Sequence, residues 1–333
     1  MADKGFKSTE VAPGIHHLQF PHGQGALGSM TLITGEQTCA LVDSGVQTTA
    51  SNQLLPYLKQ IEVDERRIVT IVNTHYHGDH MGSNAQMKGI TGASVMAHRV
   101  EVPFMENPVL QTQDGIRKYG SYHPAHTLTA QELRGRGPTP VKVDRVLEDG
   151  DDVQLAGRTF KVFFTPGHTP GSASFYEEST GTLFSGDAIS GEGRPDALAR
   201  YEDVDQYESS LYRLSQLDVN LLIHGHDFLP YEEPVLKGDQ ARAFIRRSRE
   251  VTGLYDAQLV ELLEKARKPL TLREICEGML RANGRKPGPS VFMVVAPIFT
   301  HVERLERNGA IAKLKPGPQG HPEEATWTLP GRG

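Results

Sequence analysis

A short histidine-rich segment at the end of an apolar run constrains this chain more than any other feature. Residues 74–80 read Thr-His-Tyr-His-Gly-Asp-His, directly after the β-branched run 68–72. Such a run predicts a strand, so the segment lies in the loop that leaves it. Four potential metal ligands then come close together without further folding. Because buried, clustered polar groups need compensation, the pattern predicts a metal site.

The spacing within this loop favours two metals over one. His75 and His77 can project to one side, while Asp79 and His80 can turn towards another. Neutral imidazole and carboxylate favour zinc, although iron or manganese would also accept them. The alternative is an ordinary polar loop with hydrogen-bonded histidines.

Three further candidates follow apolar runs later in the chain. They are His168, Asp187 and His226, and each has a glycine immediately before it, which lets the backbone turn sharply and approach closely. Taken singly, each has a plain explanation as a capping histidine, a turn aspartate or a surface histidine. Together with the first loop they supply seven ligands, enough for two metals with water positions left open.

The pattern of the chain changes near residue 240. Before it, short Val-, Ile- and Leu-rich runs alternate with Gly and Pro, which predicts strands ending in loops. After it, apolar residues at helical spacing predict helices over 240–252, 256–267, 271–283 and 292–309. Thr271 and Glu274 form a capping-box signature, and a two-stranded hairpin with a Gly/Pro-rich tip is expected over 310–329. We therefore expect an α/β domain over 1–239 and a small, mostly helical domain over 240–333.

The charge divides at the same place. Residues 240–333 carry 16 Lys and Arg against 10 Asp and Glu, a net charge of +6, whereas residues 1–239 carry a net charge of −12. The overall charge of −6 excludes a basic nucleic-acid coat over the whole chain, but it averages an acidic body with a basic tail.

Composition narrows the class of protein further. Two cysteines, Cys39 and Cys276, exclude a disulfide framework and a cysteine-rich zinc module. The first residues have no apolar segment typical of a signal peptide, and no apolar run reaches the length that spans a membrane. A soluble, cytoplasmic protein without a membrane partner is expected.

The order of these motifs resembles the metallo-β-lactamase superfamily, over residues 10 to about 235. The resemblance includes Asp43 in the segment Leu-Val-Asp-Ser-Gly. It implies an αββα sandwich with a binuclear metal site at one edge of the sheets. One metal would be held by His75, His77 and His168, the other by Asp79, His80 and His226, with Asp187 bridging both. Asp43 would orient a ligand rather than bind metal itself.

Departures within the superfamily narrow the implied activity. True β-lactamases lack the bridging aspartate that Asp187 provides, and the diiron flavoprotein branch has Glu where this chain has His77. The complete second ligand set argues against mononuclear-iron dioxygenases. A two-metal hydrolase remains, in which a metal-bridging hydroxide attacks the substrate. Asp79 would orient that water and protonate the leaving group, and the alternative is that Asp79 acts only as a ligand.

The C-terminal segment resembles the winged-helix-like tail of the β-lactamase-like protein 2 group, and residues 185–193 are also close to that group's sequence. The group contains single-strand ribonucleases and hydrolases of acyl-CoA or acyl-carrier thioesters. A basic tail suits either, because RNA and coenzyme A both present phosphates. The alternative is a tail that closes the active site or forms a homodimer.

Residues 100–140 form an insertion longer than a plain connection, and such segments are often lids or binding elements. A solvated loop is the simpler alternative. The candidate substrate contacts in this insertion are Arg117, Tyr119, Tyr122 and His123. Arg194, directly after residues 191–193, is a further candidate for contact with an anionic group.

Four functional hypotheses follow. The first is a binuclear zinc hydrolase of esters or acyl thioesters, with an acyl-CoA-like substrate. The second is a metal-dependent phosphodiesterase or ribonuclease acting on single-stranded RNA. The third is a lactonase or a glyoxalase-like enzyme, although this tail does not look like the helical domain of glyoxalase II. The fourth, a structural metal site with a binding tail, is disfavoured because structural sites are closed four-coordinate cages.

Overall fold

Two β-sheets form the centre of the molecule. The computed structural model describes residues 5–22, 26–133, 137–194, 197–285, 292–315 and 324–331. Within them the first sheet has seven strands, of which the first four run antiparallel to one another in neighbouring pairs and the last four run parallel to one another. In spatial order its strands are β1 (Lys7–Ala12), β2 (Ile15–His22), β3 (Ala26–Thr34), β4 (Cys39–Val42), β5 (Ile68–Val72), β6 (Ser94–His98) and β7 (Arg145–Leu147).

The second sheet has six strands among the described residues. The strands Thr182–Gly186 and Leu221–His224 are parallel, and the other neighbouring pairs are antiparallel. In chain order its strands are β8 (Asp152–Leu155), β9 (Arg158–Phe164), β10 (Ala173–Glu177), β11 (Thr182–Gly186), β12 (Leu221–His224) and β13 (Val235–Lys237).

Helices cover the outer faces of both sheets. In chain order they are α1 (Leu55–Gln60), α2 (Gly78–Met81), α3 (Asn84–Thr91), α4 (Val102–Glu106), α5 (Val109–Tyr119), α6 (Ala130–Leu133), α7 (Val204–Leu214), α8 (Asp239–Ala266), α9 (Leu272–Ala282) and α10 (Phe292–Arg307). The described ranges also contain a π-helical turn (Ala50–Leu54) and two 3-10 turns (Glu65–Arg67 and Gly120–Tyr122). None of the helices in the described ranges is both long and apolar enough for a bilayer crossing.

Three clusters of buried side chains give the layering of the fold. One lies between the sheets and contains side chains from both, such as Val72 and Phe175. A second packs α1 and α3 against the outer face of the first sheet. A third packs α7 and the C-terminal helices against the outer face of the second sheet. Burial of apolar area on both faces of each sheet stabilises this arrangement. The expected αββα sandwich is confirmed.

The C-terminal region is helical and carries a small sheet, as expected for a winged-helix-like fold. Helix α8 is one 28-residue helix, because nothing interrupts it between the two helical runs that the sequence indicated separately. The capping box of Thr271 and Glu274 is present at the start of α9. The hairpin of β15 (Ala312–Lys315) and β16 (Thr326–Thr328) gains a third strand, β14 (Leu270–Thr271). Its predicted tip, 316–323, lies outside the described residues. The domain boundary at residue 240 stays a prediction.

The charge asymmetry of the chain has a structural use. Basic side chains of the C-terminal helices form ion pairs with acidic side chains of the body, at 2.7 Å for both Arg247 with Glu192 and Arg304 with Glu208. Arg307 pairs with Asp205 in the same way. Part of the positive charge of the tail therefore pairs with the acidic body.

Residues 100–140 are not a plain loop. Helices α4 and α5, a 3-10 turn and α6 occupy most of the segment. Tyr119 and Tyr122 are buried and belong to the same apolar cluster as the C-terminal helices. The segment thus packs against the C-terminal helices.

Candidate metal centre and its cleft

One loop and one short helix present the first four candidate ligands. His75 and His77 precede helix α2, and Asp79 and His80 lie in its first turn. The backbone leaves strand β5 extended and then turns into the helix at Gly78. This change of direction is why the two halves of the motif face different neighbours.

Three imidazole nitrogens converge at the first half of the site. Nδ1 of His77 lies 3.0 Å from Nε2 of His75 and 3.0 Å from Nε2 of His168. All three rings are nearly perpendicular to one another at their contacts. Burial lowers the pKa of His75 and of His77 well below 6.5, so both rings are neutral. Neutral, converging imidazoles are the donor set that a divalent cation takes.

A second group forms beside the first. Oδ2 of Asp79 lies 3.3 Å from Nε2 of His226 and 4.0 Å from Nε2 of His80. Burial opposes ionisation of Asp79, but His80 and His226 hold the pKa of this carboxyl well below its usual range. The group therefore offers one carboxylate and two imidazole nitrogens.

Asp187 lies between the two groups. Its Oδ2 is 3.4 Å from Nε2 of both His168 and His226, and its Oδ1 is 3.6 Å from Nε2 of His80. One carboxylate therefore contacts ligand atoms of both halves. This is the placement that a bridging role requires.

Asp43 fixes the orientation of two of the rings. Its carboxylate accepts hydrogen bonds of 2.8 Å from the backbone N–H of Thr74, the hydroxyl of Thr74 and Nδ1 of His80. Since the single hydroxyl proton of Thr74 goes to Asp43, the same oxygen accepts from Nδ1 of His75 at 3.0 Å. Nδ1 thus carries a proton in both rings, and each Nε2 atom points into the site.

Backbone carbonyls fix two more rings in the same way. Nδ1 of His168 donates to the carbonyl of Arg200 at 2.8 Å, and Nδ1 of His226 donates to the carbonyl of Leu27 at 2.9 Å. Nδ1 therefore carries a proton in both rings, and both Nε2 atoms face the same space.

The residues present fit a pair of divalent ions. Nε2 of His80 and Oδ1 of Asp187 are buried polar atoms without a hydrogen-bond partner among the described residues. Such atoms are costly unless something binds them. The ligand atoms form three overlapping groups, each within 4.8 Å: His75, His77 and His168; His75, His80 and Asp187; Asp79, His80 and His226.

The glycines that precede His168, Asp187 and His226 allow the close backbone approach that the sequence predicted. A Cβ on Gly225 would lie 2.0 Å from Oδ1 of Asp187, and one on Gly186 would lie 2.4 Å from the hydroxyl of Thr74. A Cβ on Gly167 would lie 2.4 Å from the Cα of Tyr207. No side chain fits at these three positions unless the neighbouring residues move.

The site opens into a cleft of about 500 Å³, part of it open to solvent. Ligands from both halves form its floor. Side chains of the loop after Asp187, of the segment after His226 and of α10 form its walls; they include Ser190, Arg194, Ala197, Leu198, Arg200, Phe228 and Met293.

The sequence-predicted substrate residues fall into two sets. Arg194 lines the cleft. Tyr119 and Tyr122 are buried in the apolar cluster of the C-terminal helices, and the exposed Arg117 pairs with Asp114 on its own helix. His123 is buried beside Gly115. These four residues do not appear among the described lining residues of the cleft.

Sequence reasoning missed other residues of the site. Nε2 of His22 lies 3.1 Å from Oδ2 of Asp79, although its strand carries no motif. Glu101 is fully buried and accepts from the backbone N–H of Tyr76 at 2.5 Å and from the hydroxyl of Thr169 at 3.0 Å. Burial raises the pKa of Glu101 to about 8. A single glutamate thereby joins the two ligand loops, which only the folded chain brings together.

Comparison with known proteins agrees with this geometry. A family model described as the metallo-beta-lactamase superfamily matches residues 24–226, well over half of the chain. The chain belongs to the metallo-β-lactamase superfamily. The predicted resemblance is therefore confirmed.

Curated relatives within the superfamily match part of the chain. A hydroxyacylglutathione hydrolase from Synechococcus sp. (strain JA-2-3B'a(2-13)) is 32% identical over 46% of this chain and 44% of its own length. A beta-lactamase-like protein 2 homolog from Caenorhabditis elegans is 26% identical over 56% of this chain and 51% of its own. The chain spans about half the length of the curated relatives it matches.

A solved structure matches nearly the whole chain. A metallo-beta-lactamase family protein from Thermus thermophilus superposes with a TM-score of 0.73 and 25% identity, covering 96% of this chain and 100% of that one. The match therefore includes the C-terminal helical region as well as the sandwich.

Proposed function

We propose that this superfamily hydrolase is a binuclear metal-dependent enzyme that cleaves esters and acyl thioesters. The observation that carries the proposal is the position of Asp187, whose carboxylate contacts Nε2 atoms of both ligand groups. A closed structural site would not leave these ligands facing a cleft.

The donor set favours zinc. Five imidazole nitrogens and two carboxylates, without thiolate, match zinc best, and iron or manganese remain acceptable. When bound, the two ions would supply an acidified water and a Lewis acid for the carbonyl oxygen. His75, His77 and His168 would hold one ion, and Asp79, His80 and His226 the other, with Asp187 shared.

Asp79 is the proposed proton carrier. Its Oδ2 faces the cleft and lies 3.1 Å from Nε2 of His22, whose side chain is one-third exposed. An ionised carboxylate at this position can accept the proton of the attacking water and return it to the leaving group. His22 would connect Asp79 with solvent at the mouth of the cleft.

A thioester substrate is supported by the curated relatives. Several of them carry the name hydroxyacylglutathione hydrolase, which describes cleavage of an acyl group from glutathione. The walls of the cleft combine apolar side chains, such as Leu198 and Phe228, with two arginines. Such a wall suits an acyl chain joined to a charged thiol.

RNA is the second substrate class to be tested. The net positive charge of residues 240–333 was the reason to expect it. Several of those cations pair with acids within the molecule, including Arg247, Arg304 and Lys268. Less positive charge is then free to attract a phosphate backbone.

A paired assay tests the proposal. Purified, zinc-loaded protein is incubated with acyl thioesters of glutathione and coenzyme A and, separately, with single-stranded RNA at low and moderate salt. Chelated protein is the control. Thioester turnover that disappears on chelation is the expected result. RNA cleavage that falls steeply with salt, without thioester turnover, would replace the proposal with a ribonuclease.

A further inference from the structure

Arg200 is a half-buried cation in the wall of the cleft. Its backbone carbonyl accepts the hydrogen bond from Nδ1 of His168. Among the described residues, no ion pair or hydrogen bond of its guanidinium is found. Partial burial of an unpaired charge is unfavourable, so an anion from outside the chain would stabilise it.

The neighbouring acids are already engaged. Glu202 pairs with Lys118 at 2.6 Å, and Glu101 accepts from Tyr76 and Thr169. Asp187 is directed at the ligand histidines. Each of these three acids has other partners, and among the described residues none of them forms an ion pair with Arg200.

The chain that directly follows Arg200 is held in place. The hydroxyl of Tyr201 lies 2.6 Å from Nε2 of His301, and the backbone N–H of Glu202 donates to the carbonyl of Gly167 at 2.7 Å. Together with the His168 contact, these bonds fix the start of the Arg200 side chain relative to the metal ligands. A fixed origin suits recognition of one group on a bound substrate.

The rest of the wall is largely apolar. Ala197, Leu198, Phe228 and Met293 line the cleft together with Arg200. An acyl chain is apolar and fits such a surface, whereas the thiol that carries it in cells is charged. The Arg200 guanidinium is consequently complementary to the charged thiol portion of a thioester and not to its acyl chain.

We propose that Arg200 binds an anionic group, a carboxylate or a phosphate, on the thiol portion of the thioester. This inference rests on the proposed function. A guanidinium can bind either group through two parallel hydrogen bonds, which a lysine ammonium cannot reproduce.

Three thioesters with the same acyl group test the inference and separate the two anions. Glutathione presents carboxylates, coenzyme A presents phosphates, and N-acetylcysteamine is neutral. In Arg200→Gln, KM for one charged carrier is expected to rise at least tenfold, while kcat/KM for the neutral thioester changes less than twofold. Arg200→Lys should recover part of the loss. Arg246→Gln, at an exposed position on α8, is the matched control.

Equal loss on all three thioesters would overturn the inference, because it would mean that Arg200 acts through the position of His168. Binding of S-methylglutathione and S-methyl-coenzyme A, measured by calorimetry, needs no turnover and separates this inference from the proposed function. Wild-type protein should bind one of them at least tenfold more tightly than Arg200→Gln. Equal affinity, or no binding of either by the wild type, would also overturn it, whatever the hydrolysis assay gives.

Discussion

The hydroxyl of Tyr201 lies 2.6 Å from Nε2 of His301, and this contact joins the loop beside the metal site to helix α10 of the C-terminal region. Nδ1 of His301 donates to Asp256 on α8 at 2.6 Å, so Nε2 is the acceptor for the tyrosine. The C-terminal helices are thus connected through one buried chain of hydrogen bonds to the segment that carries Arg200.

Removing the Tyr201 hydroxyl should destabilise the protein. Tyr201→Phe leaves the buried Nε2 of His301 without a donor, and an unsatisfied buried acceptor costs about 1–3 kcal/mol. Urea unfolding should show that decrease in the free energy of unfolding. Tyr212→Phe is the control, because the Tyr212 side chain is largely exposed. Equal stability of Tyr201→Phe and wild type would show that the contact contributes nothing.

Gly225→Ala should damage the metal centre. The added Cβ would lie 2.0 Å from Oδ1 of Asp187 and 2.8 Å from Cε1 of His80, so both ligands must move. We expect the variant to hold less than two equivalents of zinc after dialysis, measured by mass spectrometry of the metal. Gly89→Ala, where a Cβ meets nothing within 4 Å, is the matched control. Full zinc content in Gly225→Ala would contradict the described geometry.

Sequence reasoning located the ligand candidates because they follow apolar runs that form strands. His168, Asp187 and His226 could be placed near the first loop since strand ends meet at one edge of a sandwich. His22 and Arg200 could not, because neither belongs to a motif and each reaches the site through tertiary packing.

The segment 100–140 shows that sequence reasoning also predicted site residues that the fold places elsewhere. Its length suggested a binding loop around Arg117 and Tyr119, but the helices that it forms bury Tyr119 against the C-terminal core. The amino-acid sequence did not indicate that the C-terminal helices pack against this segment. The winged-helix-like pattern predicted the elements of the tail and not what they pack against.

Stability should fall in mild acid partly because of His17. Burial lowers its pKa from 6.5 to about 4, so the unfolded chain binds the proton more readily between these values. The resulting stability is present above pH 6.5 and is lost as the pH falls towards 4. From pH 7 to 5, wild type should lose about 2 kcal/mol more than His17→Gln.

Unfolding by urea at each pH measures this difference. His126→Gln, at an exposed position, is the matched control. Parallel pH profiles for His17→Gln and wild type would mean that His17 does not contribute to the acid sensitivity.

Asp79→Asn should retain the fold and lose turnover. The amide cannot accept the proton that the carboxylate carries, and loss of such a group typically lowers kcat by about 10²–10⁴-fold. Circular dichroism and steady-state kinetics on the acyl thioesters measure fold and turnover. Asp152→Asn replaces an exposed carboxylate as the control. Full activity of Asp79→Asn would show that this assignment is wrong. Loss of turnover together with loss of one bound metal ion would indicate that Asp79 acts only as a ligand.

The central claim is that two metal ions at the seven candidate ligands support thioester hydrolysis. Adding zinc stepwise to the chelated protein, while following both bound metal and hydrolysis of an acyl thioester, tests it most directly. The account predicts that hydrolysis rises until two equivalents are bound and then stays constant. Saturation at one equivalent, or two bound equivalents without hydrolysis of any ester or thioester, would contradict it.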